Sequence, residues 1–144
     1  MKKLNILLVE DNAGDIILTK EALEERKMVG HLEIAKNGLI AIEYLDDILT
    51  SNSQNLPDLI LLDINLPKKN GQEVLIHIKS NENLRHIPVI MLTTSSSEKD
   101  IISSYKHYAN CYITKPVNIE EFSKTIEKIE DFWVNVAQLP NHKN

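Results

Sequence analysis

The chain has 144 residues, 42% hydrophobic and 26% charged, with a formal net charge of −5; this suits one compact domain with its own core and leaves little for a second. The acidic balance, with no basic stripe, argues against a nucleic-acid footprint. Cys111 is the single cysteine, so no internal disulfide can form, and the apolar run in MKKLNILLVEDN is too short before its acids for a signal peptide or membrane span, which makes a cytoplasmic location the expectation.

In chain order, LNILLV at 4–9 is too short and too continuously apolar for an amphipathic helix and reads as a strand buried on both faces. Ile16, Leu18, Thr19, Ala22 and Leu23 then form the apolar stripe of a helix ahead of the charged EERK. HLEIAK at 31–36 is a weaker second strand, followed by a helix striped by Leu39, Ile42, Leu45 and Leu49. The polar segment TSNSQNLP at 50–57 is a surface loop on the inert side of the sheet. DLILLD at 58–63 is the third strand, and PKKNG at 67–71 turns into a third helix marked by Val74, Leu75 and Ile78.

PVIMLTT at 88–94 is the fourth strand, a fourth helix is expected over about 98–107, and CYIT at 111–114 is the fifth strand. The last helix starts from an Asn118 cap and carries Ile119, Phe122, Ile126, Ile129, Trp133 and Val136 at three-and-four spacing. Trp133 is in phase with that stripe, whereas Phe132 lies about 100° away, on a face open to a partner. Five alternations of strand and helix predict a three-layer α/β sandwich around a parallel sheet. A single domain over 1–138, a short tail at 139–144 and no output domain are the expected organisation.

Ligands of an open parallel sheet gather outside the carboxyl ends of its strands. Glu10 and Asp11 follow the first strand, Asp63 ends the third, Thr93 ends the fourth and Lys115 follows the fifth, so the alternation brings all five to one edge. Carboxylates held together repel unless a cation sits among them, and oxygen donors without cysteine or histidine favour a hard ion such as Mg2+. A carboxylate can also attack a phosphoryl group, with a metal and a lysine neutralising the charge. Singly, each residue has a plainer reading: an acidic pair in a solvated turn, a surface lysine, a β-branched strand residue. Thr94 is an alternative to Thr93, although spacing from Pro88 favours Thr93. The histidines at 31, 77, 86, 107 and 142 lack metal-ligand spacing, and Cys111 opens a strand where cysteine serves as a small hydrophobe.

LLVEDN, LILLDINLPKKNG, PVIMLTTS and CYITKP, in that order over roughly 4–130, resemble the response regulator receiver domain, the phosphoacceptor of two-component signalling. EDNAGDI, DINLPKKNGQEVL, HIPVIMLTTS, YANCYITKP and IEDFWVNVAQLP are further similar to the small stand-alone regulators that serve bacterial phytochromes, especially in cyanobacteria. The resemblance implies a flavodoxin-like (βα)5 sandwich with strand order 2-1-3-4-5. It implies Asp63 as acceptor of a phosphoryl group from a sensor histidine kinase, a bacterial phytochrome being the candidate, with self-dephosphorylation rather than turnover catalysis. Mg2+, with Mn2+ able to substitute, would be held by Glu10, Asp11, Asp63 and the backbone carbonyl of Asn65. Lys115 would pair with the phosphoryl group or the acceptor carboxylate, Thr93 would bond a phosphoryl oxygen, and the Lys115 to Pro116 bond would be cis.

Tyr112 occupies the position of the family's switch aromatic, reporting to a face made by the fourth helix, fifth strand and fifth helix. The resemblance also implies a homodimer, with Phe132 and Trp133 in the contact, and an unidentified downstream protein. Lys68 and Lys69 would lie near the kinase contact. Among other classes, an aspartyl-phosphate phosphatase needs an acid two residues after its nucleophile, where Asn65 stands. A flavodoxin-like cofactor domain needs a glycine-rich phosphate loop where this chain has the acidic VEDNAGD. A docking-only receiver is disfavoured by the complete set of acids, lysine and threonine.

Overall fold

An apolar run with no polar face must bury both sides, and the three such runs in this chain are the central strands of one parallel sheet. A computed structural model describes residues 3–25, 29–51, 55–93, 111–115, 120–124 and 127. The expected fourth helix and the residues Pro116, Asn118, Phe132 and Trp133 lie outside the described residues. The elements are β1 (Leu4–Val9), α1 (Ala13–Glu25), β2 (Val29–Ala35), α2 (Gly38–Thr50), β3 (Leu59–Asp63), α3 (Gly71–Ser80), β4 (Val89–Thr93) and β5 (Cys111–Thr114), with residues 120–124 also helical. The five strands are parallel throughout, in the order β2-β1-β3-β4-β5, as the resemblance implied.

Alternation along each strand divides the core in two. Leu7, Val9, Ile60, Leu62, Val89 and Met91 pack with Ala41 and Leu45 of α2 and Val74, Leu75 and Ile78 of α3. Ile6, Leu8, Leu59, Leu61, Ile90, Leu92 and Ile113 face the other way, toward Leu23 of α1 and Phe122. Sheet and helices therefore form three layers. Each buried Leu or Ile side chain contributes roughly 1.5–3 kcal/mol.

Two helix faces differ from their sequence expectation. Leu18 is exposed together with Ile17, while Thr19 and Leu23 of the expected stripe are buried. Leu39 of α2 is exposed as well; Ala41, Leu45 and Ile48 face the sheet, with Ile42 and Leu49 at the flank. Both helices carry more apolar residues than one face can hold, so three-and-four spacing fits two stripes about one residue apart. β2 also starts earlier than expected, at Val29, and among the described residues no helix is long and apolar enough to cross a membrane.

Asparagine starts each of the first three helices. Asn12 Oδ1 accepts from Asp15 N–H at 2.9 Å, Asn37 Oδ1 accepts from Ile40 N–H at 2.8 Å, and Asn70 forms a reciprocal capping box with Glu73. Between β3 and α3 the chain reverses sharply. Lys69 N–H donates to Pro67 C=O at 2.9 Å around Lys68, whose φ of 71° makes a three-residue turn in a region a side chain rarely adopts. Gly71 N–H then donates to Ile64 C=O at 2.8 Å, bringing α3 hard against the end of β3.

A Cβ at Gly71 would fall on the carbonyl oxygen of Asp63 and on Ile64 Cα. Gly71→Ala is therefore expected to lower stability by about 1–3 kcal/mol, the usual range for overpacking, seen as a lower urea midpoint at unchanged m-value. A midpoint equal to wild type would show that the helix start yields freely.

Candidate functional site

Strand order reverses between β1 and β3, and the carboxyl edge at such a reversal is where open parallel sheets place their ligands. Val9 is in register with Leu62, so the next residue on each strand, Glu10 and Asp63, emerge side by side. The strand ends are pinned by Glu10 N–H donating to Ala35 C=O at 3.0 Å and Ile64 N–H donating to Leu92 C=O at 3.1 Å. Thr93 and Thr114 pair at the end of β4 and β5. Lys115 follows directly and reaches back across the edge.

Glu10 and Asp63 are buried and Asp11 is exposed, and one carboxylate oxygen from each lies within 4.8 Å of the others. The Lys115 ammonium group is in direct contact with Glu10 Oε1 and lies 2.9 Å from Asp15 Oδ2 and 3.3 Å from Asp63 Oδ2. The second oxygens are tied to backbone: Asn12 N–H donates to Glu10 Oε2 at 3.2 Å and Asn65 N–H donates to Asp63 Oδ1 at 3.3 Å. Glu10 Oε1 faces the lysine charge but accepts no hydrogen bond of ordinary geometry.

The electrostatics follow from burial. Loss of solvent pushes the Glu10 carboxyl up from 4.5 to about 7; the Lys115 contact opposes this and the Asp63 charge adds to it. Burial alone would pull the Lys115 ammonium down, but its contacts with Glu10 and Asp15 and the charge of Asp63 outweigh that and hold it well above the ordinary lysine value. Lys115 is therefore a permanent cation facing more acid than it can neutralise. A divalent cation fits the remainder: the available donors of Glu10, Asp11 and Asp63 are hard oxygens, and together they carry more acid than the one ammonium among them can balance. Beside it, Asp63 presents a carboxylate oxygen held against a fixed positive charge, a suitable nucleophile toward a phosphoryl group.

The fold thus assembles Glu10, Asp11, Asp63 and Lys115 in one place. Asn65 is exposed two residues beyond Asp63. Thr93 ends β4 at the same edge, and its side chain lies outside the described residues. Tyr112 sits lower on β5, in register with Met91, and is half-buried against the core cluster on the α2 and α3 side. Lys68 and Lys69 are exposed, with Lys69 paired to Glu73 at 3.7 Å. His77, one of the histidines without metal-ligand spacing, joins α3 to Asp46 of α2 at 3.0 Å.

Asp15 enters the site without any sequence expectation. An acid in the first turn of a helix ordinarily complements the helix dipole. The signal that could have found it is position: a helix following β1 begins at the same edge as Glu10, and EDNAGD places Asp15 in its first turn.

The family described as response regulator receiver domain matches residues 6–127. Response regulator Rcp1 of Synechocystis sp. is 44% identical over 135 residues, covering 94% of this chain and 92% of that protein. Among solved structures, the Mn2+-bound form of Rcp1 is 45% identical with a TM-score of 0.72, covering 94% of this chain and 98% of that one. The phosphorylated cyanobacterial phytochrome response regulator RcpA is 44% identical with a TM-score of 0.76, covering 96% and 99%. An acidic cluster suited to a divalent metal thus accompanies likeness to a metal-bound relative.

With its folded pKa above the free value, Glu10 stabilises the metal-free fold in its protonated form. That contribution is complete below 4.5 and is lost as pH rises through about 7. The melting temperature of the metal-free protein should fall as pH rises from about 4.5 to about 7 and level off above that, and Glu10→Gln should flatten the profile. A wild-type profile already flat across that window would contradict this.

Proposed function

The chain belongs to the response regulator receiver family, and on that premise we propose that Asp63 accepts a phosphoryl group from the phosphohistidine of a sensor histidine kinase. The observation that carries the reading is the Lys115 ammonium 3.3 Å from Asp63 Oδ2 at the edge where Glu10 and Asp11 converge. A carboxylate oxygen of Asp63 attacks phosphorus, the nitrogen–phosphorus bond of the donor breaks, and its electron pair leaves with the imidazole. Lys115 neutralises charge on the acceptor and on the arriving oxygens, and the Thr93 hydroxyl bonds one of them. Glu10, Asp11, Asp63 and the Asn65 carbonyl would hold Mg2+, or Mn2+ in its place, which supplies further charge neutralisation when bound. Attack by water on the aspartyl phosphate returns Asp63 and inorganic phosphate, so the domain limits its own signal.

A phytochrome-type kinase is the proposed donor, supported by likeness to a phosphorylated phytochrome response regulator. Residues 1–138 act as the receiver, in the cytoplasm, and output passes through a protein target rather than through DNA. Movement of Thr93 toward the phosphoryl group lets Tyr112 turn in and alters the surface around β5; the switch is driven by contacts made only in the phosphorylated state. Phe132 and Trp133 supply a homodimer contact. The phosphatase reading is disfavoured by exposed Asn65 in the place of a leaving-group acid.

Intact mass after incubation with acetyl phosphate tests the chemistry. Wild type should gain one phosphoryl group only when Mg2+ is present, and Asp63→Asn should gain none; an unmodified wild type under every donor, including purified kinases, would leave a docking module. Thr93→Ala should accept phosphate yet fail to change the β5 surface in hydrogen exchange, and a full change there would remove Thr93 from the switch. Light scattering should give a dimer for wild type and a monomer for the Phe132→Ala, Trp133→Ala variant.

A further inference from the structure

Lys115 has an acidic partner that phosphoryl transfer as described leaves without a role. Asp15 Oδ2 lies 2.9 Å from the Lys115 ammonium, closer than Asp63 Oδ2 at 3.3 Å. Its carboxylate is not one of the three that converge closely enough to share a cation, and its side chain is 29% exposed against 5% for Asp63. It approaches from the α1 side, where its backbone is fixed: Asp15 N–H donates to Asn12 Oδ1 at 2.9 Å, and Asn12 N–H donates to Glu10 Oε2 at 3.2 Å. Glu10, Asn12, Asp15 and Lys115 thus close a ring of contacts beside the acceptor.

Glu10, Asp11 and Asp63 would share their oxygens with a divalent cation when one is bound, leaving Glu10 and Asp63 with less charge to hold the lysine. Asp15 is the anchor that the cation does not compete for. The lysine stem has several rotatable bonds, and an ammonium head without a fixed partner samples many positions. We propose that Asp15 is a positioning residue for phosphoryl transfer, holding the Lys115 ammonium over Asp63 Oδ2 while the other acids are engaged. This rests on the phosphoacceptor reading given above. Asp15 touches neither phosphorus nor the donor and acts through Lys115 alone.

The test compares wild type, Asp15→Asn and Asp15→Glu. The maximal rate of phosphoryl gain is measured by intact mass at saturating acetyl phosphate and Mg2+, with Mn2+ affinity and thermal stability measured alongside. Asp15→Asn keeps the side-chain shape and the backbone donor, and its maximal rate should fall about tenfold, the scale of effect expected when a reacting group is misplaced. Its Mn2+ affinity should stay within about threefold of wild type, as for loss of a nearby charge that is not a ligand, and Asp15→Glu should recover most of the rate. A wild-type rate in Asp15→Asn overturns the inference. So does a loss of Mn2+ affinity or stability large enough to account for the slower rate, since Asp15 would then act on the metal or the fold. Failure of wild type itself to gain a phosphoryl group overturns the phosphoacceptor reading instead.

Discussion

One ammonium group, that of Lys115, carries the charge balance of the whole carboxyl edge. Parallel strands in the order β2-β1-β3-β4-β5 deliver acids to the same place whether or not they repel, and Lys115 is what makes their company tolerable, with partners just after β1, in α1 and at the end of β3. Buried ion pairs are a poor source of net stability, because each charge gives up its solvent first. The same loss of solvent is what pushes the Glu10 carboxyl up. An edge with too much negative charge and one fixed cation is disposed to take up further positive charge, and the Asp63 carboxylate in that setting has its surroundings arranged in advance.

The rest of the fold serves to hold this edge still. All five residues of β3 are buried, so the strand that ends in Asp63 is clamped between two packed layers. The asparagine-capped starts of α1, α2 and α3 follow the strand ends β1, β2 and β3, which places three helix N-termini along the acidic side of the sheet, where their partial positive charge is favourable. Gly71 lets α3 begin in contact with the Asp63 backbone. Rigidity here is local, built from strand burial and short connections.

Much of this was legible in the residues because it depends on period and order. Continuous apolar runs identify central strands, and the residue after each run lands at the carboxyl edge, so Glu10, Asp63 and Lys115 could be placed together before any coordinates. The misses have the opposite character. Leu18 and Leu39 look like core positions, yet helices rich in apolar residues admit two neighbouring stripes, and only packing chooses between them. Asp15 was hidden because a first-turn acid has an adequate local explanation, and its contact with Lys115 spans 100 positions of sequence. The pairing of His77 with Asp46 is likewise tertiary, joining two helices that are separate in sequence.

The Lys68 turn has a consequence for how such a domain can diverge. Glycine would sit at a φ of 71° without strain, but it would also enlarge the conformational freedom of the unfolded chain, so the two effects partly cancel. The reversal is held by backbone hydrogen bonds from Lys69 to Pro67 and from Gly71 to Ile64, while the lysine side chains point outward from it. Geometry and surface are therefore separable in this loop. Descendants of the sequence can rewrite the charge and size of the exposed positions a few residues from Asp63 while that carboxylate keeps its place, so the outer surface can drift on a timescale that the acidic edge does not share.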